Sequence, residues 1–284
     1  MIKIVTDSTA YLLPDQIQKY DIRVVPLRVL FGERSFREGV ELSTEEFYRM
    51  LAESKELPTT SQPSSGEFLE VYSELASAGH EIISIHISSK LSGTISSATD
   101  ARKMLLEKEP EAKIAIVDSL STSAGLAMEV LAAARASQEG RSAEEILAVL
   151  ENMIKEIKLF FVVDTLEYLH RGGRIGGAAA LFGTLLKIKP ILHLKDGRVE
   201  PLDRARTKRK ALQRLLELAE EEIGGRPAHI ILAHGDAFED MITLEEEVRA
   251  RLNFLEIQRT EIGPVIGTHA GPGVVGLAFY IEPG

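Results

Sequence analysis

The sequence predicts an α/β protein with two lobes, on the strength of three observations. In the first half, short β-rich runs alternate with segments of helical apolar spacing, which implies right-handed βαβ crossovers and a mainly parallel sheet. In the second half, Asp196-Gly197 separates two short strands, a strong hairpin signal that makes that sheet mixed. The 284 residues suffice for two domains, so we expect an N-terminal domain at 1–158 and a C-terminal domain at 159–284.

The elements of the first half follow from periodicity and capping signals. Ser43 and Glu46 form a capping box that starts a helix, and apolar residues recur at helical spacing from Phe68 to Leu75. The stretch TTSQPSS at 59–65 is predicted to be a loop. The predicted strands are 2–5, 24–30, 81–87 and 112–118, and the predicted helices are 43–53, 66–79, 97–109, 122–137 and 142–156.

The second half is predicted to hold shorter and more varied elements. RIGGAAALFGTLLKI at 174–188 has the composition of a buried helix of small residues. The other predicted helices are 207–222 and 237–251, and the predicted strands are 159–164, the hairpin at 190–202, 228–235, 254–260 and 274–282.

Composition excludes several classes of protein and site. The chain has no cysteine, which excludes disulfides, thiolate metal sites and cysteine nucleophiles. The net charge of −10 argues against nucleic acid as a partner. The start MIKIVTDST has no apolar signal core, so we expect a cytoplasmic protein. The longest uncharged apolar stretch, 175–186, is shorter than the ~20 residues that span a bilayer, so stable membrane insertion is not expected.

One basic segment departs from the acidic character of the chain. RARTKRK at 204–210 carries five cations in seven residues. It is either the solvated start of a helix or a patch that receives a phosphorylated ligand or an acidic partner.

Polar loops follow or precede regular elements at four places, where ligands bind in α/β sheets. These loops are DSTA at 7–10, TTSQPSS at 59–65, SSKLSGT at 88–94 and DSLSTS at 118–123. Each alone is explained by helix capping, because Ser, Thr and Asp satisfy free backbone N–H groups. Together, hydroxyls and helix N-termini that converge at one sheet end predict a site for an anionic group.

Other catalytic motifs are missing or misplaced. The elbow G-x-S-x-G and the P-loop pattern do not occur, and no H-E-x-x-H cluster supports a metal site. GPGVVG at 271–276 matches a dinucleotide pattern, but a strand follows it directly. A Ser–His–Asp triad stays open because triads are recognised by geometry. Among the candidate histidines, only His269, in a predicted glycine-rich loop, has the setting of a functional residue.

The polar loops, taken with three later motifs, resemble the DegV family of bacterial fatty-acid-binding proteins, the acyl-binding subunits of fatty acid kinase. The matching motifs, in order, are DSTA, TSQPS, SSKLSGT, the DS at 118–119, RGGRI, the KPI at 189–191 and the H-x-GPG at 269–273. The resemblance runs from Asp7 to Gly273 and implies the two-domain DegV-type fold.

The resemblance implies a lipid-binding protein that is not itself an enzyme. Its ligand would be a palmitate-like long-chain fatty acid, with no other cofactor and no metal, whose acyl chain runs in an apolar tunnel within the first domain. A partner kinase protein would phosphorylate the bound carboxylate to an acyl phosphate for phospholipid synthesis. The implied fatty-acid-binding residues are Thr60, Ser61, Ser92, Gly93, Thr94 and His269, and the implied basic residues near the phosphate are Arg171, Arg174 and Arg206.

Two other functions compete with this interpretation. A serine-dependent esterase or acyl-phosphate hydrolase would use Ser92 as nucleophile with His269 as base. A regulatory protein is the third candidate, although the sequence contains no DNA-reading element.

Overall fold

The structure, a computed structural model, describes residues 1–183 and 188–281. Its helices are α1 (Pro14–Tyr20), α2 (Thr44–Glu53), α3 (Ser65–Ser77), α4 (Thr94–Leu106), α5 (Ser123–Gln138), α6 (Ala143–Glu156), α7 (Glu167–Arg171), α8 (Lys208–Ile223), α9 (Phe238–Arg251) and α10 (Pro264–Ala270). Its strands are β1 (Ile2–Asp7), β2 (Arg23–Val25), β3 (Arg28–Phe31), β4 (Arg34–Arg37), β5 (Thr59–Ser61), β6 (Glu81–His86), β7 (Ile114–Asp118), β8 (Lys158–Val162), β9 (Lys189–Lys195), β10 (Arg198–Ala205), β11 (Ala228–Gly235), β12 (Phe254–Glu261) and β13 (Val274–Ile281). Short 3-10 helices lie at Ser8–Ala10 and Gly176–Leu181.

The strands form a parallel sheet and a mixed sheet, as predicted, and a third, smaller sheet. The parallel sheet has the order β2-β1-β6-β7. The mixed sheet has the order β10-β9-β8-β13-β11-β12, in which only β11 and β12 run parallel. The hairpin predicted at Asp196-Gly197 joins β9 to β10. These findings confirm the predicted α/β class.

The third sheet, β4-β3-β5, was not predicted from the sequence. The single strand expected at 24–30 is interrupted at Pro26, whose ring removes the N–H that a continuous ladder requires. The residues before Pro26 join the parallel sheet, and those after it form β3. The segment expected to be a loop at 59–65 begins with β5, in which Thr60 pairs with Val29 of β3. Thr60 is therefore held on a strand.

The buried helix predicted at 174–188 is wrong over the residues that the structure describes. A 3-10 helix covers Gly176–Leu181, and only Ala178 of its six residues is buried. Gly176 has φ of +52°, and a side chain there would stand 2.1 Å from the carbonyl oxygen of Val199 on β10. The glycines thus let this segment lie directly on β10, in a conformation that a regular α-helix excludes. Residues 184–187 of the predicted helix lie outside the described residues.

Helix α5 lies between the two large sheets. Leu126 and Val130 on one face pack with isoleucines of the parallel sheet, and Ala127 and Met128 on the other face pack with residues of the mixed sheet. All strands of the parallel sheet precede residue 158, and all strands of the mixed sheet begin at or after it. Because α5 belongs to both cores, the division at 158 stays a prediction.

Within the described residues, no helix combines the length and the apolar character needed to cross a bilayer.

Glu129 is a buried carboxyl group in the middle of α5. It is completely buried, and neither of its carboxyl oxygens has a hydrogen-bond partner among the described residues. Burial, with a smaller contribution from the charge of Asp118, raises the pKa of Glu129 well above its usual value. This side chain therefore destabilises the fold.

Replacing Glu129 should stabilise the protein. Glu129→Met fills the same space without an unpaired polar group, so we expect the free energy of unfolding to rise by about 1–3 kcal/mol at neutral pH. Because the folded-state pKa is raised, the wild-type protein loses stability as pH rises above the ordinary glutamate pKa of about 4.3. Urea unfolding at several pH values measures both effects.

The neutral variant Glu129→Gln is the control for charge. It should remove the pH-dependent part of the difference, because glutamine does not titrate. An unfolding free energy for Glu129→Gln that parallels the wild type from pH 5 to pH 9 would contradict the assigned pKa shift.

Candidate functional site

A largely apolar cavity lies between the parallel-sheet loops, α10 and the mixed sheet. It encloses about 870 Å³ of empty space, part of which is open to solvent. Its apolar wall includes Leu27, Ile87 and Leu91 from the first half of the chain and Phe161, Leu194 and Val274 from the second. The wall therefore comes from both sides of residue 158, whereas the family resemblance places the acyl tunnel within the first domain. The apolar lining of this cavity suits an apolar ligand.

The polar end of this cavity contains three of the predicted residues, Thr60, Ser92 and His269. The Thr60 Oγ1 atom is 2.8 Å from His269 Nε2, and the two residues share a hydrogen bond. The Ser92 hydroxyl bonds to Thr94 Oγ1 at 2.9 Å. Each comes from a different element: Thr60 from β5, Ser92 from the loop before α4, and His269 from the last turn of α10. The structure thus brings together residues up to 209 positions apart.

The position of His269 differs from the expectation. It was predicted to lie in a glycine-rich loop, but it belongs to the short helix α10, which begins with Pro264 after Gly263. Proline suits the first turn of a helix because it has no N–H to satisfy. Helix α10 is fixed by Tyr48, whose hydroxyl donates to the Ile262 carbonyl, and by Glu38, which accepts from the Val265 N–H.

The His269 ring is neutral and tightly held. Burial, and secondarily the positive charge of Arg174, lowers the pKa of His269 to about 4. Its Nδ1 atom is buried and has no hydrogen-bond partner among the described residues. A side chain at position 172 would stand 2.2 Å from this atom, so Gly172 is required there. The site therefore presents a neutral imidazole rather than a cation.

Ser92 lies at the N-terminus of α4. Gly93 is the N-cap residue and has no side chain to cap the helix, while the Ser92 hydroxyl accepts a hydrogen bond from the Thr94 N–H at 3.3 Å. The α4 N-terminus adds a partial positive charge near this hydroxyl. The neighbouring hydroxyls Ser96, Ser97 and Thr99 lie within α4.

The three other residues predicted with the binding set have local roles. Thr94 is fully buried as the first residue of α4, where its hydroxyl holds Ser92. Gly93 lies against the side chain of Gln62, and a Cβ atom at position 93 would stand 2.7 Å from Gln62 Nε2. The Ser61 hydroxyl donates to the Gln62 carbonyl, on the opposite side of β5 from Thr60.

The predicted basic residues occupy three different settings. Arg174 lines the cavity and donates to the carbonyl oxygens of Leu91 and Gly172. Arg171 is exposed and pairs with Glu167 at 2.7 Å. Arg206 is exposed at the end of β10, and it is not among the described residues that line the cavity.

A second cleft lies outside the polar end. It encloses about 620 Å³ of empty space and is lined by Arg171, Arg174, Thr60, His269 and neighbouring residues. Since Thr60, Arg174 and His269 line both spaces, they form the partition between the apolar cavity and this outer basic cleft. An anionic group at the partition would therefore be reachable from outside.

Two residues outside the predicted site, Thr122 and Ser123, also line the cavity. Both hydroxyls are buried and lack hydrogen-bond partners among the described residues. The loop DSLSTS at 118–123 was noted as one of four polar loops, and that composition was the available signal.

A triad-like arrangement is present, but it is inaccessible. Ser84 Oγ is 2.7 Å from His86 Nε2, and His86 Nδ1 is 3.1 Å from Asp7 Oδ2. All three residues are completely buried in the parallel sheet, and Tyr72 occupies the other side of Ser84. A substrate cannot reach this serine, so the arrangement is a buried polar network.

The pair proposed for an esterase, Ser92 with His269, lacks the geometry of a triad. The His269 Nε2 atom bonds to Thr60, the Ser92 hydroxyl bonds to Thr94, and the His269 Nδ1 atom has no carboxylate to orient it within the described residues. No cluster of three or more metal-ligating side chains occurs in the described part of the chain.

Fold and cavity together define an α/β protein with a candidate ligand site that is partly open to solvent. The chain belongs to the DegV family: residues 1–282 match the family model described as "Uncharacterised protein, DegV family". A DegV domain-containing protein from Halalkalibacterium halodurans is 41% identical over 288 residues, covering 99% of each chain.

Solved structures of related proteins match the whole fold. A DegV family protein from Thermus thermophilus, described as fatty acid binding, matches with a TM-score of 0.93 and 38% identity over 99% of each chain. A stearic acid-binding protein from Eubacterium ventriosum matches with a TM-score of 0.92 and 29% identity, covering 99% of this chain and 98% of the other.

The neutral state of His269 can be measured by NMR. In the folded protein, its ring resonances should not titrate between pH 8 and pH 5 and should move only near pH 4, because burial opposes the charged form. In urea, the same histidine should titrate near 6.5. Protonation of the unfolded state should accordingly lower the unfolding free energy of the wild type relative to that of His269→Gln as pH falls from 6.5 to 4. A folded-state midpoint near 6.5 would show that burial does not lower the pKa of His269.

Proposed function

We propose that the protein binds a long-chain fatty acid, with the acyl chain in the apolar cavity and the carboxylate at Thr60, Ser92 and His269. The observation that carries the proposal is the joining of one apolar cavity to one cluster of neutral polar groups. The described fatty-acid binding of the Thermus thermophilus and Eubacterium ventriosum relatives supports it.

The two ends of such a ligand contribute differently to binding. Removing ~14 methylenes of a palmitate-like chain from water is worth up to ~11 kcal/mol, at ~0.8 kcal/mol each, before association costs. The carboxylate must exchange its hydration for hydrogen bonds, which hydroxyls and the α4 N-terminus supply. The acyl chain thus provides affinity, and the polar end determines the orientation.

We further propose that the protein presents the bound carboxylate to a cytoplasmic kinase protein and has no turnover of its own. A carboxylate oxygen would attack the terminal phosphorus of a nucleoside triphosphate, forming the acyl phosphate as the bond to the diphosphate breaks. The position of the partition between the cavity and the outer cleft supports this, because the carboxylate would be accessible to a partner. Arg171 and Arg174 line the outer cleft and would contact the product phosphate, and exposed Arg206 would contact the phosphate or the partner.

Neutral donors suit this role better than a bidentate arginine. An arginine fork would bind both carboxylate oxygens and reduce their reactivity. Arg174 is instead engaged by two backbone carbonyls. The carboxylate would therefore keep one oxygen available for the phosphoryl group.

The binding proposal is tested with delipidated protein and palmitate or oleate in a titration calorimeter. Thr60→Val and Ser92→Ala should each weaken binding by about 1–3 kcal/mol, because each removes a donor to a buried carboxylate. Lipid extraction of freshly purified protein should also release a long-chain acid, which mass spectrometry identifies.

Ser96→Ala is the matched control, since Ser96 is an exposed hydroxyl on the same helix α4. It should leave the affinity unchanged. If no long-chain acid co-purifies and none binds on addition, the proposal is wrong. Unchanged binding by both site variants would show that these loops have only a structural role.

The presentation proposal predicts a different pattern. His269→Ala and Arg206→Ala should reduce phosphorylation of the bound acid by the kinase protein more than they reduce binding of the acid. Acyl phosphate formed from labelled nucleotide, set against calorimetric affinity, separates the two effects. Equal losses of binding and phosphorylation would contradict the proposed separation of fatty-acid binding from presentation. If the protein alone hydrolyses an acyl ester and Ser92→Ala abolishes this activity, the protein is an esterase and the presentation proposal is wrong.

A further inference from the structure

The N-terminus of α5 contains two polar groups without partners inside the cavity. Thr122 and Ser123 are 7% and 4% exposed, both line the cavity, and both hydroxyl oxygens lack hydrogen-bond partners among the described residues. They come from a different segment of the chain than Thr60, Ser92 and His269, and the proposed carboxylate site does not use them.

These hydroxyls do not perform the usual task of residues at a helix start. Thr122 is the N-cap of the 16-residue helix α5 and has extended backbone angles, yet its side chain makes no capping hydrogen bond. A threonine in this position ordinarily accepts from an N–H of the first turn. The Gly125 N–H of the first turn donates instead to the Thr122 carbonyl, so the groups left available to a bound molecule are the two hydroxyls.

An unmodified acyl chain cannot satisfy these groups. A methylene neither donates nor accepts a hydrogen bond, so a saturated fatty acid that passes α5 would leave two donors unpaired and dehydrated. An oxygen on the chain would accept from them, and a hydroxyl could also donate to a Ser or Thr oxygen. A second carboxylate is disfavoured because the cavity wall is largely apolar and Arg174, the one arginine or lysine among the described residues that line the cavity, is already engaged by backbone carbonyls at the other polar end.

We propose that the buried N-terminus of α5 is a second polar binding point in the cavity, which accepts an oxygen substituent on the acyl chain of the ligand. The ligand class is therefore oxygenated long-chain fatty acids, those with a hydroxyl or keto group. This inference rests on the proposed fatty-acid binding and narrows its substrate class.

The α5 N-terminus lies at the same end of the parallel sheet as the α4 N-terminus, which carries Ser92. The loop before α5 is joined to the loop before α4 by a hydrogen bond from the Ser88 N–H to the Ser121 carbonyl, at 2.8 Å. Because β6 and β7 are adjacent parallel strands, both helix starts lie at the same end of the sheet. The spacing between the two polar points is thus fixed by the sheet, and one position of the oxygen along the chain will fit best.

The test compares delipidated full-length protein with stearic acid and with a positional set of monohydroxystearic acids. At least one isomer should bind the wild-type protein about tenfold more tightly than stearic acid, because it pairs groups that stearic acid leaves unpaired. In Thr122→Val/Ser123→Ala, that isomer should bind at least tenfold more weakly than to wild type, while stearic acid binds equally well or more tightly. These opposite shifts are not expected from general damage to the cavity.

The control variant is Ser137→Ala, which removes a hydroxyl from the other end of α5, where it bonds to the Ile2 carbonyl. It should leave the preference for the hydroxy acid unchanged. If every hydroxy isomer binds wild type no better than stearic acid does, the second polar point is overturned and fatty-acid binding stands. If neither stearic acid nor any hydroxy acid binds, the proposed function fails and this inference fails with it. A preference that the double variant retains would also overturn the assignment to α5.

Discussion

The hydrogen bond between Thr60 and His269 defines the polar end of the cavity, because it joins the small sheet to helix α10. Both partners depend on distant contacts. Thr60 is aligned by pairing with Val29, and α10 is held by the hydroxyl of Tyr48 and the carboxyl group of Glu38. Arg174 then connects the 172 turn to the loop that carries Ser92. Hydrogen bonds from four separate segments of the chain therefore position the site.

Helix α5 determines where the apolar cavity can exist. It packs on both large sheets, so it sets the distance between them, and its N-terminus contributes directly to the cavity wall. The same helix contains Glu129, a buried carboxyl group without a hydrogen-bond partner among the described residues. A helix that carries unsatisfied polar groups at its start and at its middle reduces stability, and only the groups at its start face the cavity. We attribute those to ligand recognition, and the structure offers no such role for Glu129.

The sequence predicted the features that are local in origin. Alternating periodicities indicated the parallel sheet, and Asp196-Gly197 indicated the hairpin, because each pattern lies within a few residues. Pairing of Thr60 with Val29 was not predictable, since a three-residue strand has almost no periodicity of its own. The helix that carries His269 was missed because seven residues between glycines look like a loop. In the sequence, Thr122 and Ser123 look like ordinary residues of a helix start, and only the structure shows that their hydroxyls lack partners among the described residues.

The charge state of the site follows from burial rather than from the number of ionisable residues. Although a histidine and an arginine line the polar end, the imidazole is neutral and the guanidinium is turned to backbone carbonyls. A carboxylate there would be held by hydrogen bonds without being neutralised by an ion pair, and it would keep its negative charge and its nucleophilic oxygen. The outer cleft, by contrast, carries the exposed cation Arg171. Charge thus increases from the apolar cavity outward, in the order in which a chain, a carboxylate and a phosphate would be accommodated.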